Sequence, residues 1–420
     1  MLSPGSKGWI NKYFDLVGNN EISLLVNRPD GLRKLHFIHL KLSQSGIVFG
    51  FANELIFGKN LDDSDWTNEE KLKLLLFESH LFVFMQTHKD KLLDKEEFIA
   101  YLHAFYTEHN ASSIRKVFKF FLKETREEQI ESILAKRVDI KVNYLENKWW
   151  VNSLSNSFAY LDIVLFDDFI HKQKDQALKG YSLYAKNVLT AITLAAYSDG
   201  FLEEEEKDLF NVFLASANLN DDDRAEIKSR FKSGAQLADF STFVKDHWLL
   251  KRFILDVAIL TVFSDEELAD SEMNFLEELV HHLEIPEHEL EENLSLIENF
   301  LLKTQDEVVF FQDSPSYKKV YSSLYKRWSK IILRNKEKLS VELKQSKELV
   351  QLVKKSTSEE LTSEEKDLIK SQFKDIAKSI PALAIFILPG GALLLPVVLK
   401  IIPDLIPSAF IENKIDDKEN

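Results

Sequence analysis

The sequence contains no cysteine, which excludes disulfides, thiolate metal sites and cysteine nucleophiles. Turn-forming residues are scarce: the 420 residues include 12 Gly and 9 Pro, and five of the prolines lie between Pro381 and Pro407. An all-β sandwich or barrel needs frequent turns, so this scarcity argues against one. The Leu-, Glu- and Lys-rich stretches favour helices. The composition therefore predicts a mainly α protein built from multi-helix bundles.

The chain also lacks the short motifs of common enzymes. It has no P-loop, no H-E-x-x-H and no G-x-S-x-G. His281 and His282 are adjacent, so on a helix their side chains would diverge and chelate poorly. The first residues lack the apolar stretch of a secretory signal. We therefore expect no enzyme activity and a body that faces the cytoplasm.

Charge is distributed unevenly. The net charge is −15, and phosphate binding needs a positive surface, so nucleic acid is not an expected partner. Residues 318–355 nevertheless carry 12 Lys or Arg against 3 Glu, a local net of +9, which leaves −24 for the rest. This basic stretch precedes an apolar segment, as a juxtamembrane helix meeting anionic lipid headgroups would. A solvated helix face is the alternative.

The pattern of apolar residues suggests five segments. We predict an N-terminal helical domain over 1–180, a compact helical domain over 181–305, a linker and basic amphipathic helix over 306–360, an apolar segment over 361–410 and a polar tail over 411–420. The basic helix is predicted to run continuously over 317–355. Ser358 or Thr362 then caps a further helix. Residues 35–51 fit either a hairpin or a helix.

An acidic pattern occurs three times in the chain. An Asp is followed by Leu at +3, Glu at +7 and an apolar residue at +11, which predicts a helix, an acidic turn and a second helix. The copies are Asp199, Leu202, Glu206 and Phe210; Asp265, Leu268, Glu272 and Leu276; and Asp90, Leu93, Glu97 and Tyr101.

The first two copies resemble the TerB-like family, helical domains of tellurite-resistance and related stress operons. The resemblance rests on AAYSDGFLEEEEKDLF at 195–210 and covers roughly 186–290. It implies that Asp199, Glu206, Asp265 and Glu272 are oxygen ligands for a divalent cation such as Ca²⁺ or Mg²⁺. The alternative is a common Asp-Gly turn followed by a helix whose first turn carries Glu for electrostatic reasons.

Residues 380–399 form a run of twenty residues without a charge, which is long enough for one membrane span. The run is interrupted by Pro381, Pro389 and Pro396, with Gly390 and Gly391 at its centre. Each internal proline removes a backbone hydrogen bond that lipid does not replace. The segment therefore predicts a broken span within an oligomer, a re-entrant hairpin or a buried soluble hairpin.

Residues 361–410 resemble, without gaps, the membrane segment of the LETM family of mitochondrial inner-membrane proteins. The matching positions include Asp375, Lys400 and Pro403 besides the prolines named above. The resemblance implies membrane association and a link to cation/proton exchange and ribosome association. Together with the TerB-like repeats, it is similar to bacterial LETM-related proteins associated with biofilms.

Two departures shape the functional expectation. The family carries a carboxylate in the centre of the apolar run, where this chain has Ala392, and the chain ends ten residues after the match. We therefore expect a membrane-associated scaffold with protein partners or a homo-oligomer, and not ribosome binding. A cation/proton exchanger subunit using Asp375, and a soluble helical interaction protein, are the alternatives. Asp375 could equally cap a helix or pair with a lysine, Lys400 would reach the interface, and the prolines would shape the segment.

Overall fold

A computed structural model describes residues 2–28, 32–88, 93–109, 124–139, 156–171, 180–202, 204–263, 270–303 and 332–356, with single positions from 359 to 376. Within these ranges the chain is helical and contains no strand. The prediction of a mainly α, multi-helix architecture is confirmed. The described residues up to 300 form one compact unit, and those from 332 onward belong to a second.

The first half of the first unit contains six described α-helices. They are α1 (Trp9–Gly18), α2 (Lys34–Ser45), α3 (Asn68–Thr87), α4 (Lys95–His109), α5 (Arg126–Val138) and α6 (Ala159–His171). A short 3₁₀ turn, Ile47–Phe49, follows α2. The stretch over 35–51, for which the sequence fitted either a hairpin or a helix, is therefore helical.

The second half adds six more. They are α7 (Gly180–Ala196), α8 (Glu204–Ser216), α9 (Asp221–Ser233), α10 (Trp248–Val262), α11 (Asp270–His282) and α12 (Glu287–Lys303). Two 3₁₀ turns, Leu237–Asp239 and Thr242–Asp246, lie between α9 and α10.

Helix α3 lies at the centre of the first half and packs against α2, α4, α5 and α6. Its Thr67 hydroxyl accepts a hydrogen bond from Glu70 N, and Glu70 returns one to Thr67 N, which closes a capping box. Beyond this turn the apolar residues cover the whole circumference of the helix, as expected for a helix buried on all sides. The Phe77 ring meets Trp9 and Tyr13 of α1 edge-on, at centroid distances of 5.2 and 5.4 Å.

Helix α10 is the second buried centre. Every residue from Leu249 to Val262 is buried, and its main neighbour is α7. Helices α6 and α2 contact α10 as well as α3, so the two halves share neighbours. The Phe253 ring of α10 lies 4.9 Å from that of Tyr160 in α6. The five-segment subdivision suggested by the sequence stays a prediction.

The described helices of the second unit are α13 (Lys336–Gln345) and α14 (Lys347–Lys355). The prediction of one continuous helix up to residue 355 is therefore wrong. Ser346 adopts an extended backbone between the two helices, and its hydroxyl accepts a hydrogen bond from Leu349 N at 3.2 Å. A serine in this position satisfies an otherwise unpaired helix amide, so it starts a new helix.

Candidate functional site

The first acidic turn connects α7 to α8. Asp199 is exposed, and its Oδ1 accepts a hydrogen bond from Phe201 N at 2.8 Å. Gly200 between them has φ of +89°, which a side chain would strain, and a Cβ built there meets no atom within 4 Å. The predicted turn is present, and glycine is needed for its backbone conformation rather than for space.

The glutamates of the repeat share one position. Glu206, Glu272 and Glu97 are each the third residue of their helix, in α8, α11 and α4. This is the position from which a glutamate reaches back to the helix start, as Glu70 does in α3 and Glu128 in α5. Glu206 and Glu272 are both buried. The repeat therefore corresponds to a common way of starting a helix, whatever else it does.

Among the described acidic residues of the repeat, the structure shows no metal-binding cluster. Over the described ranges, no three His, Asp or Glu side chains lie close enough together to hold a metal ion, and that includes Asp199, Glu206 and Glu272. Asp265 and Asp90 lie outside the described residues. In the third copy, Asp94 starts the helix, since its Oδ1 accepts from Glu96 N and Glu97 N at 2.9 and 3.2 Å. Divalent cation binding stays a prediction.

Buried ion pairs, which the sequence motifs did not indicate, are the main polar feature of the first unit. Arg137 of α5 and Asp162 of α6 form a bidentate ion pair. Arg137 Nε donates to Oδ2 at 2.6 Å, and Nη2 donates to Oδ1 at 2.8 Å. Tyr106 of α4 donates to Asp162 Oδ2 at 3.2 Å, and Arg137 donates to the Tyr181 hydroxyl of α7 at 3.3 Å. The Arg137–Asp162 pair and its two tyrosine partners thus link four helices.

His80 of α3 extends this group. Its Nδ1 lies 2.7 Å from the Leu76 carbonyl oxygen, and its Nε2 lies 3.4 Å from the Tyr106 hydroxyl. Burial lowers the pKa of His80 to about 4, because the charged imidazolium would lose its hydration. The ring is therefore neutral at physiological pH and completes the buried network as a polar, uncharged member.

A second buried group joins α2, α10 and α12. Asp256 accepts from Asn293 Nδ2 at 2.5 Å and lies 2.8 Å from His39 Nε2. Beside it, Glu289 pairs with Arg252 at 2.9 Å and with His36 at 2.9 Å. Because Arg252 also lies 5.2 Å from the centre of the Trp248 ring, the guanidinium has both a carboxylate and an aromatic neighbour.

A buried glutamate fixes the loop before α3. Glu78 accepts hydrogen bonds from the amides of Ile56, Phe57 and Gly58 at 2.7 to 3.0 Å, and from the Tyr13 hydroxyl at 3.0 Å. Burial raises the pKa of Glu78 to about 7 against the opposite effect of these four donors. The carboxylate replaces the water that three loop amides would otherwise bind.

These buried groups connect the helices of the first unit through hydrogen bonds and ion pairs. The sequence does contain a signal for the buried carboxylates. Asp162 and Asp256 stand inside the apolar stretches AYLDIVLF and FILDVAIL. A carboxylate in such a stretch needs a buried partner, since an unpaired charge in a core costs several kcal/mol.

The second unit contains the start of the predicted apolar segment. Thr362 and Glu365 form reciprocal hydrogen bonds, which confirms Thr362 as a helix cap. Glu365 Oε1 also accepts from Lys355 Nζ of α14 at 2.7 Å, and Gln372 Nε2 donates to Glu348 of α14 at 3.2 Å. The side chains of Leu361, Ile369, Phe373 and Ile376 are buried. Glu365 and Gln372, near the start of the predicted apolar segment, therefore contact α14.

The remaining predicted site residues cannot be placed. Asp375, Pro381, Pro389, Gly390, Gly391, Pro396, Lys400 and Pro403 all lie outside the described residues. In the part of the chain that the structure describes, no helix combines the length and apolar character that crossing a bilayer requires.

Comparison with known proteins identifies one segment. Residues 361–420 match the family model described as LETM1-like, RBD. This match covers about a seventh of the chain and begins at the residue from which the sequence resemblance was drawn. Neither a curated protein nor a solved structure matches the chain. The C-terminal segment is thus LETM1-like and relates the chain, at a coarse level, to membrane-associated proteins of that type, while the TerB-like resemblance stays a prediction.

Proposed function

We propose that this protein is a membrane-associated, LETM-type scaffold whose helical body is held at the cytoplasmic face of a membrane by its C-terminal segment. The observation that carries this proposal is the LETM1-like match over residues 361–420. Within that segment, residues 380–399 carry no charge and are long enough to reach through the apolar part of a bilayer.

The helical body is suited to a scaffold. Its helices are joined by buried ion pairs such as Arg137–Asp162 and Arg252–Glu289, which hold side chains in defined directions. Replacing such pairs by apolar residues is often neutral or stabilising, and we infer that their role here is to favour one packing of the helices over others. A body of fixed shape is what a platform for protein partners or for a homo-oligomer needs.

Cell fractionation tests the membrane part of this proposal. We expect the full-length chain in the membrane pellet at low salt. It should remain there after a high-salt wash, because salt screens attraction between charges and does not weaken the insertion of an apolar segment. Recovery of the full-length chain in the supernatant at low salt would contradict the proposal.

Cation sensing through the acidic turns is a second proposal, supported by the exposed Asp199 carboxylate in a turn fixed by Gly200. It names Asp199, Glu206, Asp265 and Glu272 as ligands for Ca²⁺ or Mg²⁺, with oxygen donors that suit hard cations. Titration calorimetry with Ca²⁺, Mg²⁺ and Mn²⁺ measures binding directly. The expected result is a saturable heat of binding that Asp199→Asn weakens. Asp62→Asn is the matched control, because Asp62 is also exposed and accepts a hydrogen bond from the amide two residues on. Equal heats from Asp199→Asn and the wild type would count against the proposal.

A further inference from the structure

The exposed side chains of α13 and of the residues just before it, Leu333 and Arg334, are apolar or basic in several cases. Leu333 and Val341 are 57% and 58% exposed, and both are among the few large apolar side chains of the described residues that face solvent to this extent. At 3.6 residues per turn, Val341 lies opposite the buried side chains of Leu339 and Leu343. The Val341 side chain is therefore turned away from the packed side of the helix.

Basic residues flank these apolar side chains. Lys338 and Lys344 are exposed on the side of α13 that carries Val341, and Arg334 is exposed just before the helix; the exposed acidic residue among them is Glu337. This gives a net charge of +2 in a chain whose total charge is −15. An amphipathic helix with basic residues beside its outward apolar side chains matches an anionic lipid surface in both respects.

Helix α14 does not offer such a face. Leu349, Leu352 and Val353 of this helix are buried, Val350 is half-buried, and Lys355 is paired with Glu365 at 2.7 Å. The break at Ser346 thus divides the basic stretch into one helix that packs against the following segment and another that presents its charges outward. Charge alone would not distinguish the two helices.

We propose that the outward side of α13, with Lys338, Val341 and Lys344, together with Leu333 and Arg334 just before the helix, lies against the anionic headgroups of a lipid bilayer. The inference rests on the proposed membrane association and adds its lipid preference and point of contact. Each lysine near an anionic surface contributes about 1 kcal/mol, which corresponds to about fivefold in the contact equilibrium.

The absence of cysteine in the sequence makes a contact experiment straightforward. Val341→Cys is labelled with a fluorophore in the full-length chain, and the chain is reconstituted in vesicles that carry quenchers at the headgroup level. Ala225→Cys, at an exposed position of α9 in the first unit, is the matched control. Vesicles of phosphatidylcholine alone are compared with vesicles that also contain phosphatidylserine.

Quenching at position 341 is expected to exceed that at position 225, to require phosphatidylserine, and to fall at high salt. Neutralising two charges in Lys338→Gln/Lys344→Gln should lower the contact equilibrium on the order of tenfold or more, whereas Lys228→Gln/Lys232→Gln on α9 should leave it unchanged. Equal quenching at the two positions, or quenching independent of phosphatidylserine, overturns the inference. Flotation of the same samples separates the two proposals, because a chain that floats without quenching at 341 retains membrane association and loses only this contact.

Discussion

Arg137 and Asp162 form a doubly hydrogen-bonded ion pair that is shielded from water, with Nε–Oδ2 and Nη2–Oδ1 distances of 2.6 and 2.8 Å. Replacing Asp162 by Asn would leave the guanidinium buried without a counter-charge. We expect Asp162→Asn to lower the free energy of unfolding by about 3–5 kcal/mol. Chemical denaturation followed by circular dichroism measures this change.

Glu204 provides the matched control for Asp162. It pairs with Lys207 on the surface of α8, where both side chains are solvated. Glu204→Gln is expected to change the unfolding free energy by no more than about 0.5 kcal/mol. Similar losses in both variants would show that the buried pair has no special role.

The lowered pKa of His80 predicts that the fold loses stability in acid. Its pKa is about 4 in the folded chain because burial disfavours the charged ring, and about 6.5 when unfolded. The neutral ring's contribution is therefore complete above pH 6.5 and is lost as the pH falls toward 4, by about 3 kcal/mol in total. Unfolding free energies at several pH values, for the wild type and His80→Phe, isolate this dependence. A difference between the two that does not change with pH would contradict it.

We expect the substitution Glu78→Gln to destabilise the fold. In Glu78→Gln one oxygen becomes an NH₂ group that faces the N–H or O–H donors now bound by the carboxylate. Two donors would lose their acceptor, at a cost of about 2–4 kcal/mol. Tyr13→Phe removes only one of the four donors, so a loss of about 1 kcal/mol is expected. Thermal unfolding of both variants tests this order, which the reverse result would refute.

Glu78 also has a pH dependence of its own. Its folded pKa, raised to about 7 by burial, lies above the unfolded value of the carboxyl group. The protonated carboxyl therefore stabilises the fold below about pH 4.5, and this contribution disappears as the pH rises through 7. This trend is opposite to that of His80. Denaturation of Glu78→Gln between pH 4.5 and 8 should lack it, and a slope equal to that of the wild type would exclude Glu78 as its source.

Substituting Gly200 tests whether the acidic turn requires its backbone conformation, because the substitution leaves the charges of the turn unchanged. Its φ of +89° strains any side chain, although a Cβ there would meet no neighbour. Gly200→Ala is expected to destabilise by about 1 kcal/mol. Gly18→Ala, where a Cβ also meets nothing and φ is not positive, should be neutral or stabilising. If the two substitutions change the free energy of unfolding equally, the positive φ of Gly200 is not a requirement of the turn.

Local sequence patterns predicted part of this architecture. The mainly α class follows from composition and the Thr362 cap from a motif of a few residues, so both could be predicted. The break at Ser346 was missed because a serine fits a helix interior as well as a start, and only the packing of α14 distinguishes the two. The pairing of His39 with Asp256 spans 217 residues, so it depends on tertiary structure. The acidic residues were predicted as one kind of site, but burial separates Glu206 from the exposed Asp199.

The central claim is that the LETM1-like C-terminal segment carries the chain to a membrane, and vesicle flotation of a truncated chain tests it most directly. A chain ending after Lys378 keeps the whole first unit but lacks residues 380–399. The account predicts that the full-length chain floats with vesicles at high salt and that the truncated chain stays at the bottom of the gradient. Equal flotation of the two at high salt, or no flotation of the full-length chain, would contradict it.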